Sequence, residues 1–266
     1  MARIGFIGLG ALGSAMARRV LALGHEAVGF NRSATKVAAM ADSGLVPAAS
    51  AKAACDADIV FSVLLNDDAA RAVLVDGQPF SGRTGVTHVS VSTIGVPLVR
   101  QIGAAHAAAG QGFVSAPLFG RPDDVLAGSA VLAVAGETAA IASCRDVLES
   151  FGRVDVIGSD PGAANAVKMA GNFLMASAVQ SLREALALAE AAGANRQQFV
   201  DIVTTALFPT SFYQRFGALI ATQGSNAPAI NPFANSARLV DKTSHDLGVT
   251  APLASALAAA LANTLE

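Results

Sequence analysis

The chain has no tryptophan, one tyrosine and two cysteines among its 266 residues, and these absences narrow its possible class. Cys55 and Cys144 form neither a CxxC pair nor a zinc-ligand spacing, so a reducing compartment is the simplest inference. His88, His106 and His245 also lack the spacing of metal ligands, and we expect no metal. Aromatic residues make up only 5%, so the core must be built from Ala, Val, Leu and Ile.

Charge is scarce as well, at 14% of residues against 53% hydrophobic, with a formal net charge of -2. This balance gives no electrostatic basis for binding nucleic acid or an anionic membrane. It excludes disorder and predicts extensive burial, within the monomer or across a subunit interface. The most apolar helical stretch, 169–182, is too short and too polar to span a bilayer. The first residues run directly into a strand without a signal peptide, and we expect a soluble, cytoplasmic protein.

The first 160 residues alternate short β-branched runs with alanine-rich helical runs, which predicts an α/β fold with a doubly wound parallel sheet of the Rossmann type. Several runs are apolar throughout, as expected when helices cover both faces of the sheet. The predicted strands are 3–7, 27–31, 59–64, 88–91, 112–115, 131–135 and 154–157. The predicted helices between them are 11–23, 34–41, 69–75, 97–109 and 138–150.

Near Gly158 the pattern changes, and no convincing strand follows. The segment 159–162, SDPG, can cap a long helix that we expect to run to about Ala192 and to end at Gly193. A loop rich in Asn, Pro and Gly is predicted at 224–232, and helices at 196–206, 210–223, 234–245 and 252–265. The chain is therefore expected to have two domains, 1–160 and an all-helical 161–266.

A glycine motif, GxGxxG, directly follows the first predicted strand and opens the first helix. In a dinucleotide site, the first glycine permits a tight turn, the second a close approach to the pyrophosphate, and the third close helix packing. A glycine-rich turn without a ligand is the weaker alternative. The residues predicted to bind the cofactor here are Gly8, Leu9, Gly10, Ala11, Leu12 and Gly13.

The end of the second strand indicates which dinucleotide is bound. NAD enzymes usually place a carboxylate there, about 20 residues beyond the glycines, to bind the ribose hydroxyls. This chain has Asn31, Arg32 and Ser33 instead, with Lys36 one turn later. These side chains can bind a 2′-phosphate, so NADP(H) is predicted; the alternative is ordinary solvated residues at a helix start.

Lys168 and Asn172 are four residues apart, so they share one face of the long helix, which continues with apolar residues. A lysine at the start of an apolar stripe needs a hydrogen-bonding or charged partner, or a solvent-filled cleft around its ammonium group. From spacing alone, a catalytic lysine and a lysine that extends to solvent are equally compatible.

With these motifs the sequence resembles the β-hydroxyacid dehydrogenases, which include 3-hydroxyisobutyrate dehydrogenases and tartronate semialdehyde reductases and are related to 6-phosphogluconate dehydrogenase. The resemblance runs from Ile4 to about Leu253. It implies that Lys168 is the general acid or base and that Asn172 orients the substrate. It also implies a cofactor-lining turn at Leu64 and Leu65, and a turn near the nicotinamide that contains Ser92, Thr93 and Ile94. Among these, Thr93 is assigned to both catalysis and cofactor binding and Ser92 to the substrate.

Two segments depart from the family pattern. The family's substrate loop reads DAPVSGG, whereas residues 115–121 read SAPLFGR, so Phe119 stands in place of a serine, followed by Gly120 and by Arg121 in place of a glycine. A carboxy-terminal Lys-Asp signature is expected where this chain has Asn235 and Ser236. We still expect Phe119 and Gly120 to contact the substrate, but the departures weaken the assignment of a hydroxy-acid substrate.

Three functions are compatible with these features. The first is an NADPH-dependent oxidoreductase of a small carbonyl or hydroxy compound, with Lys168 supplying the proton. The second is an imine reductase, which the altered loop favours and the retained lysine disfavours. The third is a non-catalytic NADPH-binding protein.

The apolar surface of the long helix, together with the family resemblance, predicts a homodimer. Tyr213 is more consistent with core packing than with a role in the substrate pocket.

Overall fold

The computed structural model describes residues 2–224 and 231–262. The chain divides into two compact units, Met1–Lys168 and Met169–Glu266. This division falls inside a helix, whereas the expected domain boundary, at residue 160, lies just before that helix begins.

The first unit is built on a sheet of nine strands among the described residues. Six of them, in the order β3-β2-β1-β4-β5-β6, are parallel, while β8 runs antiparallel to β6 and pairs with β7 and β9. The strands are β1 Arg3–Ile7, β2 Glu26–Phe30, β3 Val46–Pro47, β4 Ile59–Ser62, β5 Thr87–Ser90, β6 Gly112–Ser115, β7 Leu118–Phe119, β8 Ala130–Gly136 and β9 Gly152–Gly158.

Helices cover both faces of this sheet, because successive strand residues point to opposite sides and both sides are apolar. Ile4 and Phe6 pack with residues of α1 and α7 in one core, whereas Ile7 packs with α3 and α5 in the other. The helices of this unit are α1 Ala11–Ala22, α2 Ala34–Ala38, α3 Ala51–Ala54, α4 Asp67–Ala70, α5 Val96–Ala108, α6 Pro122–Ala127 and α7 Thr138–Phe151. A π-helical turn, Arg71–Asp76, follows α4.

All seven predicted strands are present with ends shifted by no more than two residues, which confirms the Rossmann-type α/β fold. The short strands β3 and β7 and the short helices α3 and α6 were not predicted. The predicted helix 69–75 is in fact α4 followed by the π-helical turn.

The helical region begins with α8, Pro161–Ala191, whose first two turns belong to the first unit. In the second unit, Ala176, Val179, Leu182 and Leu186 form the buried stripe of α8. The other helices are α9 Arg196–Ile202, α10 Ser211–Gln223, α11 Asn231–Asp246 and α12 Pro252–Leu261, with a π-helical turn at Val203–Leu207. Tyr213 packs against their core and stacks on Phe208, the ring centroids 4.6 Å apart.

The predicted helix end at Gly193 is confirmed, since Gly193 has a φ of +88°. No strand occurs in 161–224 or 231–262, as predicted. Most of the predicted loop 224–232, and the last residues of the predicted helix 252–265, lie outside the described residues. No described helix is long and apolar enough to cross a membrane.

Candidate functional site

The glycine loop lies at the carboxyl end of β1, between that strand and α1. Gly8 has a φ of +103°, and a Cβ there would overlap the carbonyl of Val63. A Cβ on Gly13 would overlap the carbonyl of Gly8, so only glycine lets α1 pack this closely on the loop. In contrast, a Cβ on Gly10 would meet nothing within 4 Å. The loop is therefore tight on its protein side and open at Gly10, as a dinucleotide pyrophosphate requires.

Leu9 and Asn31 hold this loop from the inside. The backbone N–H of Leu9 donates to Asn31 Oδ1 at 3.0 Å, and the Leu9 side chain is buried. The amide nitrogen of Asn31 donates to the Ser33 carbonyl at 3.2 Å. Both residues were expected to bind cofactor, but in this structure their polar atoms connect β1 to the end of β2. The N–H groups of Ala11 and Leu12 have no partner within α1, because they belong to its first turn.

Arg32, Ser33 and Lys36 follow β2 on the surface, as the cofactor hypothesis requires. All three are exposed, and α2 has no acidic residue in its first turn. Within 2–224 and 231–262, neither Arg32 nor Lys36 forms an ion pair. Two cations at the carboxyl end of β2 without a carboxylate partner can bind a phosphate.

The turns after β4 and β5 are tied together by Ser92. Its Oγ accepts the Leu64 N–H at 2.8 Å and donates to the Ser62 carbonyl at 3.4 Å. Ser92 is only 3% exposed, and its hydroxyl connects the two turns. Thr93 is half-buried and Leu65 is 85% exposed, and both remain accessible.

Asn165, which the sequence reasoning missed, anchors the start of α8 to these turns. It is fully buried; its Oδ1 accepts the Ile94 N–H at 3.0 Å and its Nδ2 donates to Ser115 Oγ at 2.8 Å. The only local signal was an asparagine three residues before Lys168, on a neighbouring helical position. Asn165 thereby fixes the helix that carries Lys168 relative to the ends of β5 and β6.

A second anchor is an ion pair at the first turn of α8. Arg100 on α5 contacts Asp160 with an Nη2–Oδ2 distance of 2.6 Å, and the Gly162 N–H donates to Asp160 Oδ1 at 2.9 Å. The hydrogen bond from Arg100 lowers the pKa of the Asp160 carboxyl. The carboxylate also caps the positive end of the helix.

Lys168 is half-buried, and its Nζ lies 4.3 Å from the centroid of the Phe119 ring. Burial lowers the pKa of Lys168 from 10.5 to about 8. No carboxylate among the described residues forms an ion pair with it. Phe119 is held by β7, opposite Val131 of β8, and Gly120 follows it exposed. A lysine in this state can give up or take a proton near neutral pH.

Asn172 is one turn further along α8, in the second unit. Its Nδ2 donates to Ser236 Oγ at 2.9 Å, and Ser236 is buried. Lys168 and Asn172 are separated by a helical rise of about 6 Å on one face. Ser236, at the position of the expected Lys-Asp signature, therefore orients Asn172, whose Oδ1 has no hydrogen-bond partner among the described residues.

Two family models match the chain. Residues 3–171 match the NAD binding domain of 6-phosphogluconate dehydrogenase, and residues 162–266 match the NAD-binding domain of NADP-dependent 3-hydroxyisobutyrate dehydrogenase.

Comparisons with individual proteins point to the same family as these two family models. An uncharacterized oxidoreductase of Bacillus subtilis, YfjR, is 34% identical over 229 residues, which cover 83% of this chain and 78% of that protein. The structure of 3-hydroxyisobutyrate dehydrogenase from Mycobacterium tuberculosis with L-serine is 26% identical, with a TM-score of 0.82 over 99% of this chain and 93% of that chain. An imine reductase of Streptomyces aurantiacus is 25% identical, with a TM-score of 0.70 over 98% and 93% of the two chains.

Proposed function

The chain belongs to the β-hydroxyacid dehydrogenase family of NAD(P)-dependent oxidoreductases, and we propose that it reduces or oxidises a small carbonyl or hydroxy compound with NADP(H). The observation that carries this proposal is the half-buried Lys168, which has a pKa of about 8 and no ion-pair partner among the described residues. A half-buried lysine with a lowered pKa is typical of a catalytic site, which is why we rank the non-catalytic alternative last.

NADPH, when bound, supplies the hydride for the reduction. Lys168 Nζ donates a proton to the substrate oxygen as negative charge develops there, and in the oxidation it removes the same proton. The bonds from Asn165 to Ile94 and Ser115 hold the helix in place, so the lysine keeps its position during turnover. The carboxamide oxygen of Asn172, which has no hydrogen-bond partner among the described residues, orients the substrate, and Thr93 offers a hydroxyl at the turn after β5.

The preference for NADPH is supported by the charges at the end of β2. Arg32 and Lys36 are exposed cations, and no carboxylate stands where the ribose hydroxyls of NAD would be bound. The open face of Gly10 and the first-turn N–H groups of Ala11 and Leu12 fit the pyrophosphate.

A specific observation favours a second candidate, imine reduction. Phe119, which stands where the family has a serine, puts an aromatic ring 4.3 Å from the Lys168 ammonium instead of a hydroxyl. A substrate carboxylate would lose a hydrogen bond there, whereas an uncharged apolar substrate would gain a contact. The structural likeness to an imine reductase supports including cyclic imines among the candidates.

The experiment is a panel of small aldehydes, β-keto acids, semialdehydes and cyclic imines, assayed by NADPH oxidation with NADH in parallel. Turnover of aldehydes or semialdehydes that falls by about 10²–10⁴-fold in Lys168→Ala would support the leading proposal. Turnover of imines alone would favour the second candidate. No turnover of any compound, with tight NADPH binding, would favour a non-catalytic protein.

We further propose a homodimer in which residues 161–266 provide the dimer contacts and part of the substrate site, while residues 1–160 bind NADP. Several apolar side chains of the helical region are exposed. On α8 these include Leu174, 67% exposed, and Leu188, 74% exposed. An apolar surface of this kind is typical of a protein interface.

A further inference from the structure

The first unit contains a cavity at the amino-terminal end of the sheet strands, the end opposite to the glycine loop. It lies between α5 and the segment before β5, near the amino-terminal ends of β5 and β6. Its volume is about 540 Å³, within the range of cavities that bind small organic molecules. Exposed rim residues, including Ser81, Gly82 and Ala109, leave it accessible to solvent.

The wall of the cavity is mainly apolar and includes Leu74, Val75, Phe80 and Ile102. Among the described residues that line the cavity, Arg83 is the single one with a formal charge. The Nη1 atom of Arg83 lies 2.9 Å from Asp56 Oδ1, and the other nitrogens of the guanidinium form no ion pair with any described residue. The lining therefore combines an apolar surface with the guanidinium of Arg83, of which one nitrogen is paired with Asp56.

Gln111 holds the segment that carries Arg83. Its Nε2 donates to the carbonyls of Phe80 at 2.9 Å and Arg83 at 3.0 Å. Since both amide protons are used in this way, Gln111 Oε1 must accept, and the His106 Nδ1–H donates to it at 2.7 Å. The cavity is thus built around a fixed loop and does not depend on a mobile surface.

The hydrogen bond to Gln111 also fixes the tautomers of two buried histidines behind the cavity. His106 Nε2 accepts from His88 Nδ1 at 2.8 Å, and His88 Nε2 accepts from the Ser62 hydroxyl at 2.8 Å. Burial lowers the pKa of both imidazoles, so both are neutral at pH 7. His106 consequently adds an aromatic surface to the cavity but no charge, and Arg83 remains its one cation.

Two backbone irregularities shape the cavity wall. The π-helical turn Arg71–Asp76 carries Leu74 and Val75, and Gln78 has a φ of +42°, which non-glycine residues rarely adopt. Both kinds of irregularity cost conformational energy relative to a regular helix or a relaxed loop. Proteins retain them most often at functional sites, including ligand sites.

We propose that this cavity binds a small monocarboxylate with an apolar, phenyl-sized body, at a site separate from Lys168. The carboxylate would bind the remaining N–H groups of Arg83, and the body would pack on Phe80, Ile102 and Leu74. An additional anion would find no second cation in the lining, and a cation would meet no carboxylate there.

The test is calorimetric titration of the NADP⁺-saturated enzyme with 3-phenylpropionate and with its uncharged amide. Neither compound has a hydroxyl or carbonyl group suited to turnover. We expect the carboxylate to bind with a Kd of about 1 mM or lower and the amide about tenfold more weakly. Arg83→Gln should abolish this preference, and Ala105→Leu, which fills the cavity from α5, should weaken both compounds by about tenfold. Ala108→Leu, on the same helix but outside the lining, should bind as the unmodified enzyme does.

Circular dichroism of each variant, together with its NADPH-dependent turnover, checks that the fold is intact. The proposal is overturned if neither compound binds at concentrations up to about ten times the expected Kd. It is also overturned if the preference for the carboxylate survives Arg83→Gln, or if Ala105→Leu binds like Ala108→Leu, since binding would then take place elsewhere.

Discussion

Replacing Lys168 by methionine should stabilise the folded protein at neutral pH while it removes catalytic activity. Burial lowers the pKa of this lysine from 10.5 to about 8. At about 1.4 kcal/mol for each pKa unit, keeping the ammonium in its half-buried place costs the folded state roughly 3.5 kcal/mol. Loss of the contact with the Phe119 ring costs about 1 kcal/mol, and partial solvent exposure reduces the gain further. A net stabilisation of about 1–2 kcal/mol is therefore expected.

The size of this stabilisation depends on pH in a way that identifies its cause. Between pH 8 and pH 10.5 the unfolded chain binds more protons at Lys168 than the folded chain does. The unmodified protein therefore gains stability as pH rises through this window. The methionine variant has no proton to lose at this position. Its advantage should be complete at pH 7 and should disappear above about pH 10.5.

The assay is urea unfolding at pH 7 and pH 10.5, at one protein concentration. Unfolding is monitored by far-UV circular dichroism, because the chain has no tryptophan whose fluorescence could report it. Lys52→Met is the matched control, because Lys52 is exposed on α3 and its replacement should change the free energy of unfolding by less than about 0.5 kcal/mol. The burial argument would be refuted if Lys168→Met were less stable than the unmodified protein at pH 7. It would also be refuted if the variant were more stable by the same amount at both pH values. Near-normal turnover would make Lys168 a structural residue, and Tyr213 would be the next proton donor to test.

Three further predictions concern the cofactor, the pH profile and the assembly. Arg32→Ala should weaken NADPH binding by about tenfold or more and leave NADH nearly unchanged in a cofactor fluorescence titration; equal losses would give Arg32 a structural role only. Because Lys168 must be protonated to act as an acid, kcat for reduction should fall as pH rises through about 8, whereas kcat for oxidation should rise; a flat profile from pH 7 to 9 would contradict this role. Light scattering at micromolar concentration should give a dimer, and Leu188→Glu should shift it towards the monomer; a monomeric unmodified protein would exclude the proposed interface.

The Rossmann fold could be predicted because each of its signals is local. The apolar runs, the glycine motif and the change of pattern near Gly158 can be read within a few residues. The missed elements are those too short for a period to show, such as β7 with two residues and α3 with four. β7 forms because Leu118 and Phe119 pair with β8, which is a tertiary effect.

The sequence predicted where the residues of the candidate site lie in the fold better than it predicted where their side chains point. The sequence motifs correctly indicate that Asn31 and Ser92 lie at strand ends, yet both polar side chains turn inward to bond backbone groups. Asn165 could not be identified in advance, because its partners Ile94 and Ser115 are 71 and 50 residues away along the chain. Such long-range hydrogen bonds leave no spacing pattern in a single sequence.

The two departures from the family pattern fall on the residues that contact the retained pair. Phe119 contacts Lys168 in the first unit, and Ser236 hydrogen bonds to Asn172 in the second. Lys168 and Asn172, which we propose as the proton-transferring and the orienting residue, are thus retained, while a residue that contacts each of them departs from the family pattern. Replacing a hydroxyl that binds the substrate by an aromatic ring disfavours a carboxylate more strongly than it favours an apolar group. Phe119→Ser should therefore raise kcat/KM for β-keto acids relative to uncharged aldehydes of the same length. An unchanged ratio would mean that Phe119 does not contact the bound substrate.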